Sequence, residues 1–116
     1  MKVLSVRSRQ KTRPLDTVLF KQIVRSLLHD LVERTDYELG FYIVEADEMA
    51  EVNETFLQHT GSTDVITFDY NDPDSPTLRG EVFICIDDAI EQAKRFSTTW
   101  QSEVVRYAVH SVLHLL

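Results

Sequence analysis

The chain predicts an α+β fold, a small mixed sheet of about four strands with helices packed on it. Three observations point there. Short β-rich runs, Phe41-Tyr42-Ile43-Val44, "TDVITFDY" and "EVFICI", are separated by segments whose apolar residues recur every three or four positions. Their order reads strand, helix, strand, helix, strand, strand, helix, helix, which suits one mixed layer with helices against it. The final stretch, "AVHSVLHLL", is apolar on nearly every side, so the last helix is expected to be buried at the centre of the fold.

Each element has its own local signal. Val3, Ser5 and Arg7 alternate with Lys2, Leu4 and Val6, which reads as a first strand. Pro14 suits a first helical turn, where its missing N–H costs little, and Leu15, Val18, Leu19, Ile23, Leu27 and Leu31 supply the apolar stripe. His29, beside Asp30, is expected at the surface of that helix. Gly40 is expected to break the helix before the strand at Phe41. In "ADEMAEVNETFLQHT", Asp47 is expected to cap a helix with Met49, Val52, Phe56 and Leu57 on its buried face. A turn at Thr60-Gly61-Ser62 leads into the third strand, whose β-branched and aromatic residues favour extended backbone. "NDPDSPTLRG" has loop composition and joins it to "EVFICI". Asp87 is expected to cap a third helix that buries Ala89, Ile90, Ala93 and Phe96. Thr98 and Gln101 have capping-box spacing for a last helix from about Trp100.

At 116 residues the chain is the size of one domain, and with 43% hydrophobic residues and three Gly and three Pro it is expected to be globular. Cys85 is the only cysteine, so a disulfide within the chain and a cysteine-based zinc cluster are both excluded. No apolar run approaches the roughly 20 residues of a membrane span. The start, "MKVLSVRSRQKTR", lacks the apolar core of a secretory signal. Charge is uneven. Residues 1–13 hold five cations (Lys2, Arg7, Arg9, Lys11, Arg13) and no acid, whereas the rest holds seven basic and nineteen acidic side chains, a net of −12. An acidic body is a poor non-specific nucleic-acid binder, so RNA contact would fall to the basic segment, which otherwise reads as a charged edge strand.

His110 and His114 stand four apart, the spacing at which two imidazoles on one helix converge on one ion. Two donors are fewer than the three of a catalytic zinc site or the four of a structural one. Cys85, His29 and His59 are the neutral candidates for another. Taken alone the pair is a weak signal, since this spacing also arises by chance; imidazoles buried in an apolar helix would need partners, either a metal or acceptor groups. Zinc peptidases of the His-Glu-x-x-His type carry their general base directly after the first histidine. Here Ser111 occupies that place, which disfavours a peptidase of that class.

Taken together, "NETFLQHTGSTDVITFDY" (53–70), "GEVFICIDDAIEQA" (80–93) and "EVVRYAVHSVLHLL" (103–116) resemble the YbeY family of bacterial endoribonucleases and rRNA maturation factors. Order and spacing agree across roughly residues 40–116. The resemblance implies one zinc ion, with His110 and His114 as two of three ligands and the third beyond Leu116. The family pattern continues there with Gly-Tyr-Asp-His, whose histidine (acidic in some members) would fall at about position 120. The resemblance therefore implies a single domain over 1–116 that is incomplete at its C-terminus. As it stands, such a chain is expected to hold zinc weakly or not at all and to be inactive. Many members carry an Arg where this chain has Leu57; a branch has Leu there with a histidine two residues on, matching His59. That implies His59 as a phosphate contact or proton carrier, against the plainer reading of a turn histidine at a helix end.

Three functions follow. The first is a zinc-dependent, single-strand endoribonuclease in rRNA maturation and ribosome quality control, cytoplasmic, with rRNA, the small ribosomal subunit or a ribosomal protein as partners, and neither membrane nor DNA. Arg7, Arg9, Lys11, Arg13 and Arg79 are its candidate RNA contacts. The alternative is a non-catalytic ribosome-assembly factor that binds rRNA or a ribosomal protein. The third, a zinc hydrolase of another class, is opposed by Ser111. Thr63 and Asp64 are expected to satisfy turn backbone ahead of the third strand. Glu103, on nearly the same helical face as His110, is expected to orient a ligand or to favour the helix N-terminus.

Overall fold

The expected order of elements is present in the computed structural model, which describes residues 2–31, 33 and 36–116, the side chain of Leu31 excepted. Strand β1 spans Lys2–Ser8, α1 Thr17–Ser26, β2 Tyr37–Val44, α2 Ala46–Leu57, β3 Val65–Asp69, β4 Leu78–Cys85, α3 Ile86–Phe96 and α4 Trp100–Leu115. One π-helical turn, Leu27–Leu31, extends α1. The sheet runs β1-β2-β4-β3. β1 and β2 are parallel with Lys2 opposite Tyr37, and β2 and β4 are parallel with Tyr37 opposite Leu78. β3 is antiparallel to β4, with Val65 opposite Ile84 and Asp69 opposite Gly80. The sheet is thus mixed and four-stranded, as the alternation of elements predicts.

Alternation along each strand divides the sheet into two faces. Leu39, Phe41 and Ile43 of β2 and Leu78, Val82 and Ile84 of β4 point toward α1 and α4, forming the main core. The other face is covered only in part by α2, where Met49 and Val52 meet Val44, Ile66 and Cys85. Beyond that cluster the rings of Tyr42 and Phe83 stack with centroids 4.8 Å apart, and the Tyr42 and Tyr70 hydroxyls both donate to Glu81, at 2.7 and 2.9 Å.

Several local expectations are corrected. Pro14 precedes α1 rather than opening it; Asp16 is the cap, its carboxylate accepting from the Leu19 N–H at 3.0 Å. The buried stripe of α1 is Phe20 and Val24, continued by Leu27 and Leu28, whereas Val18 and Leu19 are 67% and 51% exposed. Aromatic bulk at Phe20, packed edge-on against Phe41, decides the rotation of that helix. Leu31, expected in the stripe, has its side chain outside the described residues. Gly40 does not break a helix; it lies inside β2. Helix α2 begins at Ala46, ahead of Asp47, and its first N–H is satisfied from another helix: Ala46 donates to the Asp87 carboxylate at 2.7 Å. Asp87 therefore caps α2 across space instead of its own helix, which starts at Ile86. On α2 and α3, Phe56 and Phe96 are exposed rather than buried, and the buried polar Asn53 takes a place on α2 that no apolar residue fills. Thr99, not Thr98, caps α4 by accepting from Ser102 N–H at 3.1 Å. No helix among the described residues is long and apolar enough to cross a membrane.

Candidate functional site

Helix α4 buries Glu103, Val104, Tyr107, Ala108, Ser111, Val112 and Leu115, a stripe at three- and four-residue spacing that lies on the sheet. His110 and His114 fall outside that stripe, on one flank, and both are exposed. This corrects the expectation of buried imidazoles. The helix is apolar by composition but is not buried all round, since Leu113 is also 53% exposed. Neither imidazole makes a hydrogen bond or ion pair among the described residues. Both line a cleft of about 360 Å³ whose other wall is edge strand β3, with Leu57, Val65, Ile66, Thr67 and Ser111 completing it. Ser111 donates to the Tyr107 carbonyl at 2.8 Å, so its hydroxyl is satisfied within the helix and its small size lets α4 approach the sheet.

Leu116, beyond which the resemblance places a third ligand, follows the last turn of α4 as an exposed residue. Its N–H donates to the Val112 carbonyl at 3.2 Å, so the helical hydrogen bonding runs through it, and its side chain offers a metal nothing. Among the described residues no group of three or more His, Cys, Asp or Glu side chains could hold a metal ion. Within the described chain the donor set is therefore the two imidazoles, and the expected third ligand has no counterpart up to Leu116.

The remaining sequence candidates are dispersed. His59 sits in the turn after α2, exposed, and is not among the residues lining the cleft. That turn is held by Asn53, whose carbonyl accepts from His59 N–H at 3.3 Å and whose amide donates to the Gly61 carbonyl at 2.8 Å. Gln58 at φ 57° and Gly61 at φ 86° make the reversal. Asn53→Ala is expected to cost about 1–2 kcal/mol and to speed proteolysis within 58–62, measured by denaturant midpoint and limited digestion.

Cys85 is buried behind the sheet, its thiol pushed up by burial, with Ser62 Oγ at 3.6 Å. His29 pairs with Asp30 at 2.8 Å on the exposed turn after α1, as expected for a surface histidine.

The candidate RNA contacts also lie elsewhere. Arg7 is exposed on β1. Arg9 pairs with Glu48 at 3.0 Å and lies 4.8 Å over the Tyr42 ring. Lys11 N–H donates to Glu45 at 2.7 Å, the Arg13 guanidinium donates to the Thr12 carbonyl at 3.0 Å, and Arg79 pairs with Glu38 at 3.5 Å. Arg7 and Arg79 point to the sheet face away from α4, because their strand neighbours Val6 and Leu78 pack in the main core. None of these cations lines the histidine cleft.

Asp64 does what a turn acid is expected to do, accepting from Val65 N–H at 2.8 Å and from the Thr63 hydroxyl at 3.3 Å. Buried Glu103 pairs with Arg106 at 3.2 Å on its own helix, and no hydrogen bond or ion pair joins it to His110. Residues that sequence reasoning missed are Thr67, on the cleft wall, and Asn71, whose side chain reaches the end of α4. An Asn one residue past a β-rich run is a loop signal, and its tertiary partner is invisible in one dimension.

With this geometry in view, comparison with known proteins is decisive. A family model described as Endoribonuclease YbeY matches residues 5–116. The chain belongs to the YbeY endoribonuclease family. Proteins named Endoribonuclease YbeY resemble it at 27% identity in Salinibacter ruber, over 97% of this chain and 76% of that one. The relative in Thermotoga petrophila is 33% identical over 79% of this chain and 61% of that one. In Syntrophotalea carbinolica identity is 30% over 100% of this chain and 79% of that one. A solution structure from Thermotoga maritima shares the fold, with a TM-score of 0.67 at 23% identity, over 97% of this chain and 71% of that one. Some YbeY relatives are matched over little more than half their length, 55% for that of Phocaeicola vulgatus.

Proposed function

We propose that this chain carries the nucleolytic site of a metal-dependent, single-strand endoribonuclease in rRNA maturation and ribosome quality control, acting in the cytoplasm on rRNA in the small ribosomal subunit. One observation carries the reading: His110 and His114, with no partner among the described residues, share one cleft wall on the exposed flank of a helix whose opposite stripe packs in the core. In donor type and placement they fit two positions of a zinc site, and the third donor is proposed to come from outside residues 1–116. A bound zinc ion would supply Lewis-acid polarisation of a phosphate or activation of a water.

The protein's own contribution is shape and orientation. Edge strand β3 and α4 form two walls proposed to receive an extended RNA segment, with the apolar Leu57, Val65 and Ile66 along one side. His59 and the cations Arg7, Arg9, Lys11, Arg13 and Arg79 are proposed as outlying RNA contacts, engaged as the strand leaves the cleft.

Replacing either histidine with alanine is expected to lower the weak zinc affinity expected of the chain by about tenfold or more, because loss of even an outer partner costs that much at a metal site. Chelator competition on the wild-type chain and on His110→Ala and His114→Ala checks it. Cleavage of single-stranded rRNA by metal-loaded protein that persists unchanged in the double variant would sink the mechanism.

A specific observation favours a second reading, a non-catalytic assembly factor. No cation lines the cleft, and Leu57 stands on its wall where many family members carry an Arg. Co-purification with small subunits and no cleavage by the metal-loaded protein would select that reading.

A further inference from the structure

We infer that Asn71 is a positioning residue that sets the distance between the histidine-bearing end of α4 and the β3 wall of the cleft. The role rests on His110 and His114 being the metal-holding pair proposed above. Asn71 lies in the β3–β4 loop, two residues past the end of β3, and its N–H and both side-chain polar groups are committed. Its own N–H donates to the Asp69 carboxylate at 2.8 Å. Its side-chain oxygen accepts from the Arg79 N–H at 2.7 Å, continuing the ladder past the Tyr70 N–H to Arg79 carbonyl bond of 3.1 Å. Its side-chain nitrogen donates to the Leu115 carbonyl at 2.8 Å. The first partner on the side chain is a donor only and the second an acceptor only, so the amide has a single productive orientation.

Leu115 is thereby held from two sides. Its carbonyl is taken by Asn71, and its side chain fills the space that a Cβ at Gly80 would occupy, with both methyls 2.9 Å from that position. His114 is the preceding residue and His110 one turn back, both on the cleft. β4, which carries Arg79 and Gly80, is also the strand on which β3 is paired. Asn71 and Leu115 therefore connect the last turn of α4 to the strand pair that carries the other wall of the cleft. Release of that brace leaves the last turn of α4 free to drift from β3, taking the second imidazole with it.

Asn71→Asp and Asn71→Ala separate this role from a merely structural one. The aspartate keeps the acceptor for Arg79 N–H and loses the donor to Leu115, whereas alanine loses both. Amide hydrogen exchange in the metal-free chain is read residue by residue, and zinc affinity by chelator competition. In both variants exchange of the amides of 112–116 is expected to quicken about tenfold, the worth of one hydrogen bond. In Asn71→Asp the slowest-exchanging core amides are expected to be unchanged, and zinc affinity to fall by a similar factor. Unchanged exchange in 112–116 of Asn71→Asp overturns the role, as does a loss of stability spread evenly over all amides. Faster exchange confined to 112–116 in a chain whose wild type takes up no zinc supports the brace and removes the metal reading instead.

Discussion

Tyr107→Ala is expected to lower the stability of the fold by about 3–5 kcal/mol, a large part of the roughly 5–15 kcal/mol that holds a domain of this size together. Tyr107 is 1% exposed and is one of the largest fully buried side chains. It fills the space between α4 and the sheet one turn before His110, so its loss leaves a cavity under the histidine-bearing helix. Its hydroxyl adds a separate contribution, donating to Asp88 on α3 at 3.0 Å. Tyr107→Phe keeps the ring and is expected to cost about 1.5 kcal/mol, the lower range for a hydrogen bond to a charged group.

The two losses differ in pH dependence. Burial holds the Asp88 carboxyl above the usual carboxylate range, and the Tyr107 hydroxyl opposes that rise. A carboxyl raised in the folded state contributes stability that is present below its unfolded pKa and lost as pH rises through the folded value. Removing the hydroxyl raises Asp88 further, so more stability is lost on going from acid to neutral pH. Tyr107→Phe is therefore expected to be more damaging at pH 7 than at pH 4. Denaturant midpoints at the two values, with carboxyl titration of Asp88 by NMR, check the sign. An equal penalty at both would show that the hydroxyl does not support the ionised carboxylate. The Tyr107 phenol is itself raised well above its ordinary range, by burial first and then by Asp88. Its contribution is present below its unfolded pKa and is lost only in alkaline solution.

Gly80→Ala is the second large effect, expected to cost about 2–3 kcal/mol through overpacking. A Cβ there would stand 2.8 Å from the Phe68 carbonyl oxygen and 2.9 Å from both Leu115 methyls. The carbonyl belongs to the paired strand β3 and cannot move without breaking the sheet. The leucine can withdraw only by lifting the end of α4. Gly80→Ala should therefore lower the melting temperature by roughly 10 °C. It should also weaken the zinc binding proposed for His110 and His114 more than Gly61→Ala does, since at Gly61 nothing lies within 4 Å of the added carbon. Equal effects on zinc binding would separate Gly80 from the cleft.

Much of this was legible from residue order. β-branched and aromatic runs mark β2, β3 and β4, because a pleated, half-buried surface selects such side chains, and alternation marks β1. "GEVFICI" and "STDVITFDY" together led to the family through order and spacing. Helix capping was read less well. Asp47, Asp87 and Thr98 each have the chemistry of a cap, but Asp87 serves Ala46 across space, and Thr99 outcompetes its neighbour. A cap is chosen by which oxygen reaches the free N–H, and that depends on the packed chain. The rotation of α1 was missed for a similar reason, since Val18 and Leu19 match helical spacing as well as Phe20 and Val24 do. Only the Phe20–Phe41 contact decides which stripe is buried.

The sequence by itself determined that two imidazoles share one side of a terminal helix, because a four-residue spacing on 3.6-residue turns allows little else. It also determined the mixed sheet beneath them. Only the tertiary structure decided that this side faces a cleft rather than the core. The stripe from Val104 to Leu115 takes the sheet for itself and turns the histidines toward β3. It decided, too, that the arginines gathered in sequence at residues 1–13 stand apart from those histidines. β1 and β3 occupy opposite edges of the sheet, and strand alternation turns Arg7 to the other face.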